Sequence, residues 1–353
     1  MKALITAGGK GTRLRPITHT SNKHLIPIAN KPMIFYALEA VREAGVSEVG
    51  IIVNETRPEV EEVLGDGSKF GVDIEYIEQL EPLGLAHCLK VARDFLGDDA
   101  FIFYLGDNIL AGGIVNFVNR FKKEQPDCLL LLSEVEDPRR FGVPELEGDR
   151  IVNIEEKPEE PKSDFAVTGV YMYSPAVWEA VEEVKPSDRG ELEISDVHQE
   201  LLNAEKEVLY ENVTGWWKDT GKPADLLAAN HLVLKHMEDG SKGEVVDSEI
   251  QGEVRIGEGS IVRNSKLRGP LVIGKDCRIE GAYIGPYTSI SDGSVVEESE
   301  IEDSIVLQNA EILNLPARLD ESLIGKEAIV SRGIVLPRTL RLLIGDNSEV
   351  DLV

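Results

Sequence analysis
The sequence has 353 residues, 42% hydrophobic and 29% charged, and its 37 basic against 64 acidic residues give a formal net charge of -27. That length suggests about two domains with ordinary cores, and that charge disfavours nucleic acid and anionic membranes as general partners, so a polyanionic ligand needs a local basic pocket. Cys88, Cys128 and Cys277 are odd in number, far apart and without metal-ligand spacing; with no apolar run long enough to span a bilayer and no signal-peptide pattern, they predict a reducing, cytoplasmic setting.

In chain order, the apolar run Ala3 to Ala7 predicts a buried parallel strand that breaks into GGKGTR, Gly8 to Arg13. Glycine lets backbone N–H groups approach an anion closely, and Lys10 and Arg13 add formal charge. The loop lacks the third glycine of a dinucleotide fingerprint and the GK[ST] of a P-loop. By itself it fits an ordinary tight turn as well as a nucleotide site. Arg15, Lys23 and Lys31 follow closely in an otherwise acidic chain, and that clustering favours a phosphate ligand. Beyond it, helices are expected over Pro32 to Ala44, Pro58 to Leu64 and Leu85 to Phe95. Strands are expected over Glu48 to Val53, Ile74 to Ile77 and Ala100 to Leu105. This alternation predicts an α/β domain with a Rossmann-like, mostly parallel sheet. Ligands of such sheets bind at the carboxyl ends of the strands, where GGKGTR, QLEPLG (Gln79 to Gly84) and GDN (Gly106 to Asn108) all fall.

Residues 136 to 220 are denser in Pro, Gly and short β-like runs, and we read them as a sugar-binding half. It is completed by a helix with Pro223 near its first turn that runs to about His236. From Val246 to about Leu313 helix signals stop. Ile250, Ile256, Ile261, Leu267, Ile273, Ile279, Ile284, Ile290, Val296 and Ile301 recur about every five or six positions between Gly, Ser, Asp and Glu. That period suits a parallel β-helix whose coils place such residues inside. The tail, with apolar runs Gly333 to Leu336 and Leu340 to Ile344, is expected to cap or extend it.

Two acidic residues stand apart. Asp107 ends the run FIFYL, and Asp219 lies between Trp217-Lys218 and Thr220-Gly221. Either could be a helix cap or turn former. As a pair near a basic phosphate loop they suit magnesium, which takes one or two carboxylates together with phosphate oxygens and water. Phosphoryl or nucleotidyl transfer then needs cations and a metal rather than a protein nucleophile. Lys157 follows two glutamates and, taken alone, reads as a solvated pair.

The ordered motifs GGKGTRLRP, SNKHLIPI, KPMIFYAL, QLEPLGLA, GDN, EEKP, AVTGVYMY, RGELEISD and WKDTG resemble those of the nucleoside-diphosphate-sugar pyrophosphorylases. Within that family the resemblance is strongest to the long glucose-1-phosphate thymidylyltransferases, which add a C-terminal left-handed β-helix. It implies a nucleotidyltransferase catalytic domain over residues 1–240 and a left-handed β-helix of hexapeptide-like repeats over 241–353. It implies dTTP, or UTP, and glucose 1-phosphate as substrates, Mg²⁺ as cofactor, and a homo-oligomer.

Carried over by position, the resemblance implies that Gly8, Gly9, Gly11 and Thr12 meet the nucleotide, with Arg13 and Lys23 on the triphosphate and departing pyrophosphate. Gln79 would read the pyrimidine edge beside Gly84, and Asp107 and Asp219 would bind the metal. Gly142, Glu156, Lys157, Gly169, Tyr171, Arg189 and Glu191 would surround the sugar phosphate, Lys157 bridging to the α-phosphate, with Trp217 walling the pocket.

Trp216-Trp217-Lys218 departs from the single Trp followed by Leu or Phe more usual in the thymidylyltransferases, which places Lys218 at the pocket rim. The helical segment that carries a feedback site in the short enzymes is replaced here by the β-helix. A non-catalytic sugar-nucleotide binder would be expected to lose charged site residues, whereas Arg13, Lys23, Asp107, Lys157 and Asp219 all remain. An acyltransferase activity of the β-helix would want a histidine base, and all six histidines, at 19, 24, 87, 198, 231 and 236, precede it.

Overall fold
The structure is a computed structural model and describes residues 1–9, 11–237, 240–332 and 350. Lys10 and the apolar runs Gly333 to Leu336 and Leu340 to Ile344 lie outside the described residues. The chain forms two compact units: Met1–Gly11, Ser21–Leu25 and Met33–Asp219 make one, and Thr12–Thr20, Ile26–Pro32 and Thr220–Val353 the other.

The first unit is built on a seven-stranded sheet in the order Val208–Asn212, Cys128–Glu134, Phe165–Tyr173, Phe101–Leu105, Lys2–Thr6, Glu48–Val53, Asp73–Glu78. Every neighbouring pair is parallel except those made by Phe165–Tyr173, which runs antiparallel to both of its neighbours. The Lys2–Thr6 strand shows why the centre of the sheet is stable. Its side chains alternate between faces, so Ala3 and Ile5 join the core on one side and Leu4 the core on the other, all fully buried. The helix Met33–Glu43 starts directly after Pro32. It buries Met33, Ile34, Ala37, Leu38 and Val41, the spacing of one helical face. The stretch expected as one helix from Leu85 is two, Leu85–Val91 and Arg93–Leu96, because Ala92 at φ -92, ψ 4 interrupts the turn.

In the second unit, the described strands after residue 240 form two six-stranded sheets and one four-stranded sheet, every pairing parallel. This is the expected left-handed parallel β-helix. Its interior is a set of stacked columns; one of them carries Leu267, Ile284 and Ile301, all fully buried. Two expected core residues behave differently. Ile261 sits in an outward column beside Glu244 and Arg278, and its neighbour Val262 points inward instead, in register with Ile279. Ile250 is in the inward Leu267 column but belongs to the first described strand of its sheet, where no earlier described strand covers it, and is 44% exposed. No described helix is long and apolar enough to cross a membrane.

Candidate active site
At the carboxyl end of Phe101–Leu105 the chain turns through Gly106 and Asp107 into the short strand Asn108–Leu110. Asp107 is buried, and its carboxylate accepts a hydrogen bond from the Lys23 ammonium and another, at 3.0 Å, from Asn108 Nδ2. Burial opposes ionisation of Asp107, but the Lys23 charge and these two donors overcome it and hold the carboxyl well below its usual range. Lys23 is itself placed by its neighbours. Asn22 donates from Nδ2 to the Ala7 carbonyl at 2.7 Å and to Thr56 Oγ1 at 2.6 Å, while its Oδ1 accepts the His24 backbone N–H at 2.8 Å. His24, also buried, has its pKa pushed by burial and by Lys23 down to about 3, so it adds no charge to the corner. The Lys23 side chain lies across Gly9, where a Cβ would come within 2.8 Å of its Cε. The Gly8 carbonyl accepts from Asn54 Nδ2.

Asn108 joins the elements of the site. Besides donating to Asp107, its Oδ1 accepts the Gly169 N–H at 3.2 Å and the Trp217 indole N–H at 2.6 Å. Its strand pairs antiparallel with Trp217–Asp219, so that Asp219 is the register partner of Asn108. Gly169 reaches Asn108 where the register of Phe165–Tyr173 shifts, between Val167 and Tyr171. Sequence reasoning noted the GDN turn but assigned Asn108 no role; the signal was there, in a polar residue following a buried strand next to a candidate metal ligand.

A second cluster forms around Glu156. Gly142 is its partner in the antiparallel pair Gly142–Glu147 and Arg150–Glu156. The Glu156 carboxylate accepts from Ser195 Oγ at 2.7 Å, and its Oε1 lies 2.8 Å from Lys157 Nζ and 3.5 Å from Arg189 Nη2. Lys157 adopts φ +50, an uncommon conformation for a non-glycine residue and one that often marks functional turns. The carboxylate that Arg189 meets most closely is Glu193, at 2.8 Å, a residue within RGELEISD that was not singled out. Their i, i+4 spacing was the available signal. The Glu191 carbonyl accepts the Ser187 N–H at 2.8 Å. Tyr171 is nearly fully buried, packed on Phe103 and His198, so it backs the site from within. Burial pushes its phenol pKa up, and the charges of Glu156, Asp107 and Asp219 add to the effect. Trp217 also packs edge-on against Phe141, ring centroids 5.1 Å apart.

Gln79, at the end of Asp73–Glu78, donates from Nε2 to the Gly84 carbonyl at 3.1 Å, with His87 Nδ1 also at 3.1 Å. Gly11 turns with φ +57. Thr12 and Arg13 begin a 3-10 turn, are exposed, and belong to the second compact unit. Among the described residues no group of three or more His, Cys, Asp or Glu side chains could hold a metal ion. The oxygen donors of Asp107 and Asp219 match a hard cation that takes its remaining ligands from water and a substrate phosphate.

The comparisons with known proteins agree with one another. A family model described as nucleotidyl transferase matches residues 2–236. The chain is 49% identical over 354 residues to the glucose-1-phosphate thymidylyltransferase of Streptomyces griseus, covering 100% of this chain and 99% of the relative. It is similar to a crystal structure provisionally assigned as a glucose-1-phosphate thymidylyltransferase from Bacillus anthracis in complex with a sucrose. That likeness has a TM-score of 0.64 at 39% identity and covers 68% of this chain and 97% of the other. A UDP-glucose pyrophosphorylase complexed with UDP-glucose is similar with a TM-score of 0.60 at 26% identity, over 67% of this chain and 99% of the other.

Proposed function
The chain belongs to the nucleotidyl transferase family, and from that premise we propose that it transfers dTMP from dTTP to glucose 1-phosphate, giving dTDP-glucose and pyrophosphate. The observation that carries this reading is the Asp107 corner. A carboxylate kept ionised by Lys23 and Asn108 directly precedes Asn108, the register partner of Asp219, so one hard oxygen donor lies in the strand pair and the other in the turn that enters it. Mg²⁺ held by Asp107 and Asp219 would neutralise phosphate charge there.

In this mechanism a phosphate oxygen of the sugar attacks the α-phosphorus in line. The new P–O bond forms as the bond to the bridging oxygen of the β-phosphate breaks, and pyrophosphate carries the charge away. No protein nucleophile is needed, so the residues act by placement and by charge. Lys23, lying over Gly9, is in position to exchange its ion pair with Asp107 for a phosphate oxygen. Arg13, with its permanent forked charge, suits the departing pyrophosphate. Gly8, Gly9, Gly11 and Thr12 present backbone to the nucleotide, and Gln79 with Gly84 meets the base. Gly142, Glu156, Lys157, Gly169, Tyr171, Arg189, Glu191 and Trp217 form the sugar-phosphate side, with Lys157 between the two phosphates. Residues 1–240 would carry the chemistry and 241–353 the β-helix, in a cytoplasmic homo-oligomer.

The test is pyrophosphate release from glucose 1-phosphate and Mg²⁺ with each dNTP and NTP. Release is expected fastest with dTTP. Faster release with UTP would move the assignment to a uridylyltransferase; the two bases differ by one methyl group, worth about 1 kcal/mol of pocket contact, and the two nucleotides also by the ribose 2′-hydroxyl. No release with any nucleotide would refute the enzyme reading.

A further inference from the structure
Gln79, Gly84 and His87 lie in one compact unit, between the end of the strand Asp73–Glu78 and the start of the helix Leu85–Val91. Their contacts decide which way the Gln79 amide points. The Gly84 carbonyl can only accept, so the amide atom 3.1 Å from it is the nitrogen, Nε2. The second hydrogen of Nε2 then falls to His87 Nδ1, also at 3.1 Å, and that nitrogen is the bare, accepting one of the ring. The surroundings favour an uncharged ring: partial burial and the nearby Lys90 lower its pKa, against a smaller opposing pull from Glu81. The frame around Gly84 is stiff. Leu192 donates its N–H to the Leu83 carbonyl at 2.7 Å, and its own carbonyl accepts from Ala86 at 3.0 Å, so the backbone on both sides of Gly84 is pinned.

Both amide hydrogens of Gln79 are therefore engaged within the protein. The oxygen is not. Among the described residues no donor reaches Gln79 Oε1, and that atom is open to solvent although the residue as a whole is only 9% exposed. A nearly buried amide thus offers a ligand one acceptor and nothing else.

Resting on the proposed function, we infer that His87 is a positioning residue for base recognition: by taking the second amide hydrogen of Gln79, it fixes the amide so that only Oε1 is presented to the base. An acceptor fixed in this way suits a pyrimidine that carries a hydrogen on N3, as thymine and uracil do. It opposes cytosine, whose N3 is itself a bare acceptor. Without the His87 acceptor the second hydrogen loses its partner, and the amide nitrogen becomes available to a cytosine N3. The imidazole touches no substrate in this scheme and acts through Gln79.

Calorimetric binding of dTTP and of dCTP, each with Mg²⁺, to the full chain tests this. The two nucleotides share triphosphate and deoxyribose, so contacts to those parts cancel in the ratio of their Kd values. The wild-type protein is expected to prefer dTTP. His87→Leu removes the acceptor and keeps apolar bulk, and it should lower that preference about tenfold, the effect of roughly one lost hydrogen bond. His87→Asn places Oδ1 at the same distance along the side chain as Nδ1 and should restore most of the loss. A smaller folded fraction would reduce the number of binding sites and leave the ratio of Kd values alone. An unchanged ratio in His87→Leu would overturn the inference, as would an equal loss in His87→Asn or a wild-type protein that does not distinguish the two nucleotides. The proposed function fails separately: if this binding pattern is found but glucose 1-phosphate releases no pyrophosphate, the transfer reading falls and the role of His87 stands.

Discussion
The indole Nε1 of Trp217 donates to Oδ1 of Asn108 across 2.6 Å, and this one bond ties the expected pocket wall to the residue that also supports Asp107. Asn108→Ala leaves the Gly169 N–H and the Trp217 indole without their acceptor in a buried setting. It should lower unfolding stability by about 2–4 kcal/mol, read in urea melts. Turnover should fall about a hundredfold even where the variant is fully folded, since small displacements of positioned groups are costly. Normal turnover in folded Asn108→Ala would show that the junction is structural only.

Asp107→Asn and Asp219→Asn should each lower kcat by about a hundredfold or more, as expected when a charge-neutralising group is lost from a phosphoryl-transfer site. Circular dichroism should stay native, because each change is nearly isosteric. Wild-type rates in both variants, measured over a range of Mg²⁺ concentrations, would refute the metal assignment.

Gly84 has φ +103, and an added Cβ would stand 2.4 Å from the Leu192 carbonyl oxygen. The neighbouring backbone cannot move easily, since the Leu192 N–H donates to Leu83 at 2.7 Å and the Leu192 carbonyl accepts from Ala86 at 3.0 Å. Gly84→Ala is therefore expected to cost about 1–3 kcal/mol of strain and to displace the carbonyl that holds Gln79. A raised KM for dTTP with little change for glucose 1-phosphate is the expected kinetic sign. Equal changes in both would argue against a base-reading role for this loop.

His198 is fully buried beside Tyr173, whose hydroxyl lies 2.6 Å from its Nε2, and burial pushes its pKa down to about 3. The unfolded chain protonates the same ring near pH 6.5. Between those values the unfolded state binds a proton that the native state refuses, so stability should fall as pH drops below about 6.5. Each such histidine contributes up to about 1.4 kcal/mol per pH unit. His24 behaves in the same way. His198→Phe should remove about half of the combined slope in urea melts between pH 6.5 and 5; an unchanged slope would mean that His198 is protonated in the native protein.

The strand Glu48–Val53 was legible residue for residue, and Lys2–Thr6 nearly so, because apolar runs buried on both faces announce themselves. The pair Gly142–Glu147 and Arg150–Glu156 was read only as short β-like runs, since its mixed polar and apolar residues show no clean period. In the β-helix the spacing revealed the architecture but chose Ile261 where Val262 points inward. Both are branched and apolar, and only the register with Ile279 separates them. At the site, Lys23, Asp107 and Glu156 stood out as charged residues in distinctive motifs. Asn108, Glu193 and Ser195 did not, because a neutral or paired side chain has no signature until its partners are in place.

Sequence alone determined the two architectures and the order of the motifs, and it pointed to a phosphate ligand. Those rest on local properties: apolar period, turn residues and the clustering of cations in an acidic chain. Tertiary structure alone decided which charges neutralise one another, that Asn108 joins Asp107, Gly169 and Trp217, and that residues 12–20 and 26–32 belong with the β-helix. Hydrogen-bond partners far apart in the chain meet only once the backbone has folded. Ala29 and Asn230, 201 residues apart, share a bond that no local pattern could announce.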